Sequence, residues 1–575
     1  MTNGFVENIA DPSRVGGQAM SKCGIDGVRF ARPKGPGYVF DRASDEPVAI
    51  IKWQCLVEVL LIVAVFFVAT GDVPPHVNES HYLCRLKHFW NPAWCVGDLF
   101  LESADTQLVL IWLFGWVTRF VSLTATAWIG RVIAWTALAW AWQRLSWRIV
   151  PRRLASVLSA ALFIGLNYYL HMAGEWIVGG VEGKCFAYAF VLMALRELLD
   201  NRWNRVWLLL GAATAFHPLV GGWSGVVCVG VWLIAKLSVV RCPSTVVSRQ
   251  LFVRPSRLTE MLPGLFGGGV IGLIGIVPAL ALTWNVPADV VAESNRIYVF
   301  DRLPHHLAPL ALPAAEATRR LAGHAALLVA LWVLSRASRR GNSNAMARIV
   351  QFAWGAALLA CVGLTIELVL FNQPLIAAKL LRYYWFRITD FAAAMAVAMQ
   401  ITALIAGGFE RRRSWAAPAL CVAVIFSGWY PLGACWARIA QPNTPSDAKI
   451  VDYPAWIEAC EWVAANTPPN ALFITPRLSQ TFKWRTGRPE VANRKDIPQD
   501  AGGLVEWSRR IKDLYAIEFG GEEQLVDSVG ALGTERVKEL ARKYHAQYVL
   551  ADRGQLLGLP IAFWNEEYVV YRIQD

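Results

Sequence analysis

Runs of apolar residues long enough to cross a bilayer recur through most of this chain and constrain its fold more than any other feature. They lie at about 51–70, 124–146, 154–172, 184–199, 203–217, 219–237, 263–284, 319–336, 347–371, 388–408 and 415–437. A helix needs roughly 17–25 apolar residues to traverse the hydrocarbon, where each backbone N–H and C=O must be satisfied internally. The pattern predicts a polytopic α-helical membrane protein of about eleven spans. The runs 184–199 and 203–217 are short enough to be partial helices buried by their neighbours. Residues 107–121 are shorter and interrupted, and read as a helix lying at the membrane interface. Residues 1–49 are polar and Gly-rich, lack the pattern of a secretory signal, and read as a flexible cytoplasmic tail ahead of a membrane domain at 50–440.

Charge sets the orientation. The net charge is +12, yet only 17% of residues are charged, and the basic ones fall in every second connection between apolar runs. These are Arg148, Arg152 and Arg153; Arg196, Arg202 and Arg205; Lys236, Arg241, Arg249, Arg254 and Arg257; Arg336, Arg339, Arg340 and Arg348; and Arg411, Arg412 and Arg413. The positive-inside rule then puts the N-terminus in the cytoplasm and the 71–106 loop and C-terminal part outside, with Arg319 and Arg320 as the departure. No basic stripe with interleaved aromatics marks a soluble segment, so nucleic acid is not an expected partner. From 445 to 575 the character changes. DYPAWIEACEWVAANTP, GGLVEWSRRIKDLYA and GTERVKELARKYH read as helices, and NALFITP, AQYVLAD and EEYVVYRI as strands, of a small extracytoplasmic α/β domain.

The first outer loop, 71–106, is long, acidic and too aromatic for disorder. Loops of that length are usually functional. It holds Cys84 and Cys95, for which a disulfide and two free thiols are both open. Ionisable residues in or beside membrane helices are costly and so mark function. Here they gather at the outer ends of the predicted spans, whereas Glu58 lies in the first span nearer its cytoplasmic end. The pattern describes an outward-facing polar cavity rather than a path through the membrane.

Five stretches supply candidates. Glu79 suits a general base or a ligand of a divalent cation such as Mg or Mn, or else is a solvated loop carboxylate. Asp98 and Asp105, seven apart, would share a face if helical, assisting a metal or acceptor or else solubilising an interfacial helix. Glu175, Glu182 and Lys184 occupy a Gly-rich outer turn where backbone can approach a ligand, with a simple surface pair as the alternative. Arg302, His305 and His306 form a cationic or metal-capable stretch. Arg382, Arg387 and Asp390 lie at the outer start of the tenth run, and arginine there suits either phosphate or interfacial anchoring.

In architecture the chain resembles the GT-C superfamily of membrane glycosyltransferases, which includes protein O-mannosyltransferases, oligosaccharyltransferase catalytic subunits and lipid A aminoarabinose transferases. The shared features are a cytoplasmic N-terminus, a long acidic first outer loop with interfacial helices, many spans and a C-terminal outer α/β domain. Those families carry a paired-acid signature in the first outer loop. Here the nearest match is Asn78-Glu79, with no paired acid beside it, and that departure leaves metal dependence open. The chain also resembles a bacterial polytopic membrane family with an NE-x-HYL outer-loop motif. The matching segments are Asn78–Leu83, Lys87–Asp98, Gly179–Lys184, Arg302–Leu307 and Tyr384–Arg387. The GT-C resemblance implies a multi-pass protein of the cytoplasmic (inner) membrane, in contact with membrane lipids, transferring a sugar from a polyprenyl-phosphate donor to an acceptor on the outer face. It implies that Glu79 deprotonates the acceptor or helps hold a metal, and that Arg382, Arg387 or Lys184 stabilises the departing phosphate. A transporter or flippase would instead need ionisable groups through the membrane, and a non-catalytic envelope scaffold would leave the outer-loop acids apart.

Overall fold

The computed structural model describes residues 48–241, 257–337, 344–441 and 443–573. Residues 1–47 of the expected tail 1–49, with Arg249, Arg254, Arg339 and Arg340 of the basic connections, lie outside the described residues. Helices form at all eleven apolar runs. Seven helices among the described residues are long and apolar enough to cross a membrane, with the apolar parts Trp53–Thr70, Pro218–Leu237, Leu258–Ala281, Ala314–Ala337, Asn344–Val369, Arg387–Glu410 and Ala416–Ala440. The expected count of about eleven full spans is thus reduced. The helix Leu123–Ile149 is long, but Arg131, Arg144 and Arg148 interrupt its apolar character. Ala155–Leu170 is apolar but shorter, and Gly183–Leu199 and Trp203–Phe216 are partial, as their lengths foretold.

Packing follows side-chain size. The helix Arg387–Glu410 is far more enclosed than the other six candidate spans. Its run Phe391–Ala398 is small or apolar throughout and wholly buried, and its neighbours include Ala155–Leu170, Ala314–Ala337, Asn344–Val369 and Ala416–Ala440. Among the described residues, Leu258–Ala281 and Trp203–Phe216 approach backbone to backbone. A Cβ on Gly268 would lie 2.2 Å from the Trp207 carbonyl oxygen, so backbones touch only because glycine stands there.

The C-terminal domain is a four-stranded mixed sheet in the order β1 (Phe473–Ile474), β4 (Tyr548–Asp552), β6 (Tyr568–Arg572), β5 (Ile561–Trp564). Strands β1 and β4 run parallel; β4–β6 and β5–β6 are antiparallel. Strand alternation supplies both faces. Phe473, Leu550, Tyr568 and Val570 pack under the helix Tyr453–Asn466. Ile474, Val549, Ala551, Val569 and Tyr571 pack against the helices Ala501–Tyr515 and Thr534–Tyr544. These are the three helices and three strands the periodicity predicts. Strand β5 and the hairpin β2 (Ala516–Phe519) to β3 (Glu522–Leu525) were not anticipated. The hairpin signal was present in Gly520-Gly521, whose φ of +64° and +84° suit a two-residue turn.

Candidate functional site

The first loop is a folded element. Residues Glu79–Trp90 form a helix that the proline-broken sequence did not foretell, followed by the short turn Leu99–Glu102. Glu79 is wholly buried. Arg131 donates to it through Nε at 2.7 Å and Nη2 at 2.5 Å, and the backbone N–H groups of His76 (2.7 Å) and Val181 (3.0 Å) complete its shell. Burial pushes the Glu79 pKa up, but the Arg131 hydrogen bonds and charge outweigh it and hold the carboxyl below its usual range. Both oxygens are occupied, so Glu79 ties the loop helix to Arg131 and to the turn before Gly183. It is not a solvated carboxylate.

Asp98 and Asp105 do not share a helical face, because the helix between them ends at Glu102. Asp105 pairs with Arg85 at 3.2 Å. Asp98 caps Leu101 N–H and meets Lys483 of the C-terminal domain at 3.2 Å. Lys483 also holds Glu490 at 2.8 Å and Asp496 at 2.7 Å, with His81 on the other Asp496 oxygen at 3.1 Å. Burial alone would lower the Lys483 pKa, but Asp496, Asp98 and Glu490 keep it well above its ordinary value. Among the described residues no group of three or more His, Cys, Asp or Glu side chains is arranged for a metal ion. Where three carboxylates do meet, they close on an ammonium. The donor set therefore does not fit a divalent cation. Cys84 and Cys95 are buried free thiols.

Beside these ion pairs lies a second polar cluster, where Asn78 and the starts of the helices Gly183–Leu199 and Arg387–Glu410 meet Lys495 of the C-terminal domain. Asp390 accepts the N–H groups of Met172 (2.7 Å), Ala173 (2.9 Å) and Glu175 (3.2 Å), and so shapes the turn that presents Glu175. Glu175 Oε2 is 3.0 Å from Arg387 Nε and 3.9 Å from Lys184 Nζ. Its Oε1, also buried, has no partner in ordinary hydrogen-bond geometry and has the buried Tyr188 hydroxyl for a neighbour. Burial pushes the Glu175 pKa up against the pull of Arg387 and Lys184. Glu182 lies 3.4 Å from Lys184 and accepts Asn78 Nδ2 at 2.5 Å. Glu182 and Lys184 are both almost fully buried, so they are not a surface pair.

Lys495 donates to Asn78 Oδ1, and Arg302 Nε donates to the Arg494 carbonyl at 3.1 Å. Neither cation has a carboxylate within pairing distance among the described residues. Burial and the Arg302 charge push Lys495 down to about 8, and burial with Arg494 lowers Arg302 to about 10. His306 Nδ1 donates to the Ala173 carbonyl, with the His305 ring 4.1 Å away, centroid to centroid. Burial, then Arg302 and Arg320, pushes His305 down to about 4, so it is neutral at pH 7. Arg382 stands apart, bonded to Asn295 Oδ1.

Of the residues singled out from sequence, Glu175, Glu182, Lys184, Arg302, His305, His306 and Arg387 gather here. Asp390 stands behind them, Glu79 beneath, and Asp98 and Asp105 in separate ion pairs. Sequence reasoning missed Lys495, which sits in the polar stretch Asn493–Asp496 without periodicity or motif. Tyr384 entered only as the first residue of a matching segment, with no role given; its ring carries the Arg387 guanidinium at 4.0 Å.

A protein-family model described as a domain of unknown function (DUF6798) matches residues 454–514. No curated protein matches the sequence. Among solved structures, the chain is similar to the crystal structure of the Archaeoglobus fulgidus oligosaccharyltransferase complex with Zn and sulfate. That match has 14% identity over 87% of this chain and 68% of that one, with a TM-score of 0.43. It is similar to the archaeal oligosaccharyltransferase AglB from the same organism in complex with an inhibitory peptide and a dolichol-phosphate (12% identity, 88% and 70% covered, TM-score 0.43). It is also similar to ArnT from Cupriavidus metallidurans bound to undecaprenyl phosphate (14% identity, 91% and 98% covered, TM-score 0.33).

Proposed function

We propose that this chain is a GT-C-type membrane glycosyltransferase that moves a sugar from a polyprenyl-phosphate donor to an acceptor on the outer face of the membrane. The observation that carries this reading is the charge at the junction. Lys184 and Arg387 pair with Glu175 and Glu182, whereas Arg302 and Lys495, which feel the Asp496 charge, have no carboxylate within pairing distance among the described residues. Both are half-buried, and charge taken partly out of water without a counterion is costly. A phosphate ester would supply the missing anion, and arginine is suited to hold it through paired hydrogen bonds.

Glu175 then serves as general base, since its Oε1 lies outside the ion pair with Arg387 and Lys184 and burial raises its pKa. The acceptor hydroxyl oxygen attacks the anomeric carbon and its proton passes to Glu175. The bond between that carbon and the phosphate oxygen breaks, and the electron pair leaves on the lipid phosphate. Arg302, Arg387 and Lys495 stabilise the growing negative charge. Glu79 and Asp390 act as positioning residues for the loops around this centre. The apolar, buried run Phe391–Ala398 disfavours an ion path along the enclosed helix, and with it the transporter alternative.

The test is lipid mass spectrometry of cells carrying wild type, a deletion, or Glu175→Gln at matched expression. The reading expects both lesions to accumulate the same sugar-bearing polyprenyl phosphate. Accumulation in the deletion alone would remove Glu175 from the base role. No change in either would overturn the transferase reading.

A further inference from the structure

Far from the junction, toward the other end of the helix Leu123–Ile149, a groove of about 410 Å³ opens between that helix, Gly183–Leu199 and Trp203–Phe216. Thirteen residues separate Arg131 from Arg144, or about 20 Å along the helix axis, so the groove is no part of the cluster around Glu175. Its walls are Trp140, Met193, Leu208 and Leu209, and its rim is Arg144, Arg196, Arg205 and Glu197. A second hollow of about 250 Å³ continues it past Arg205 to Arg202 and Trp203.

The rim is strongly cationic. Glu197 is shared by Arg196, Arg202 (3.5 Å) and Arg205 (3.6 Å), and Asp200 by Arg148 (2.7 Å), Arg196 (3.1 Å) and Arg202 (3.9 Å). Arg348 donates to the Leu198 carbonyl and lies 3.4 Å from Asn201 Oδ1. Arg144 has no carboxylate partner among the described residues and lies against the Trp140 ring at 5.8 Å. Six guanidinium groups thus stand around Glu197 and Asp200, with Glu260 on the wall of the second hollow. The side chains of Arg205 and Arg202 are 65% and 50% exposed, open to an incoming anion.

We infer that this groove is a binding site for one anionic phospholipid. Its phosphate sits among Arg144, Arg196 and Arg205, and an acyl chain lies along Trp140, Met193, Leu208 and Leu209. Charge complementarity selects the occupant. A free phosphate has no use for the apolar walls, and a zwitterionic lipid brings its own cation against an arginine-rich rim. Basic pockets between membrane helices hold anionic headgroups on this physical basis.

The experiment uses the full-length protein in detergent and native mass spectrometry with added phosphatidylglycerol or phosphatidylcholine. Wild type is expected to retain one phosphatidylglycerol and to hold phosphatidylcholine at least tenfold more weakly. Arg144→Gln with Arg205→Gln should lose phosphatidylglycerol at least tenfold. Leu208→Trp, which fills the groove without altering charge, should lose it as well. Arg411→Gln, an exposed arginine outside the groove, should bind as wild type does. Both groove variants alter exposed side chains, and unchanged thermal unfolding will verify their folding. Equal retention of the two lipids, full retention by either groove variant, or displacement by millimolar inorganic phosphate would each overturn the inference.

Discussion

Glu79→Gln separates a positioning role from a catalytic one. The substitution keeps the shape but removes the counterion of Arg131, which is itself wholly buried. Removing one partner of a buried pair costs about 3–5 kcal/mol. The carboxamide also offers one acceptor oxygen where the carboxylate offers two, so one of the His76 and Val181 N–H groups is left unpaired. Arg131 keeps its bond to the Asp72 carbonyl, which argues for the lower half of that range. At about 1.4 kcal/mol per factor of ten, backbone amides from His76 to Trp90 should lose roughly two to three orders of magnitude of hydrogen-exchange protection. Glu79→Leu with Arg131→Leu should recover part of it, because an apolar pair leaves no buried charge.

The pH dependence has a definite sign. The folded Glu79 pKa is depressed, so its contribution is present above the ordinary carboxylate pKa and lost only as pH falls through the lower, folded value. Protection of this segment in wild type should therefore hold from pH 8 down to about 5, once intrinsic exchange chemistry is allowed for. A change under tenfold in Glu79→Gln, or opening of the wild-type segment near neutral pH, would refute the reasoning.

Lys483→Met leaves Asp98, Glu490 and Asp496 facing one another without their cation. It should cost about 3–5 kcal/mol, read as at least hundredfold faster proteolytic release of the C-terminal domain at pH 7, with partial restoration in acid as the carboxylates take up protons. Because burial pushes Lys495 down to about 8, affinity for a polyprenyl phosphate should fall as pH rises through that value. Lys495→Arg should flatten the profile between pH 7 and 9, and a flat wild-type profile would remove Lys495 from the anion site. Gly268→Leu forces a side chain against the Trp207 carbonyl, whereas Gly269 has open space around its Cβ position. The first should lower thermal stability by about 1–3 kcal/mol and Gly269→Leu should leave it unchanged, as differential scanning fluorimetry in detergent will show.

Length and apolar periodicity determined where the helices lie, because backbone satisfaction in hydrocarbon is a local requirement that each run meets alone. The helices and strands of the C-terminal domain were legible for a similar reason: Tyr453–Asn466, Ala501–Tyr515 and Thr534–Tyr544 each carry an apolar face, and β4 and β6 carry alternating ones. Sequence also collected most of the ionisable residues that the fold gathers into one cluster, since charge beside a membrane span is rare enough to stand out. It did not assign their tasks. Glu79 and Glu175 look alike as loop carboxylates, yet one has four donors and the other an oxygen outside its ion pairs. That difference arises from Arg131, 52 residues beyond Glu79, and from Asp390, 215 residues beyond Glu175. Lys495 reaches Asn78 across 417 residues, with no local pattern to announce it. An ionisable side chain declares its chemistry in the sequence. Whether its lone pairs and charge are already taken depends on partners that only the tertiary fold brings within hydrogen-bonding distance.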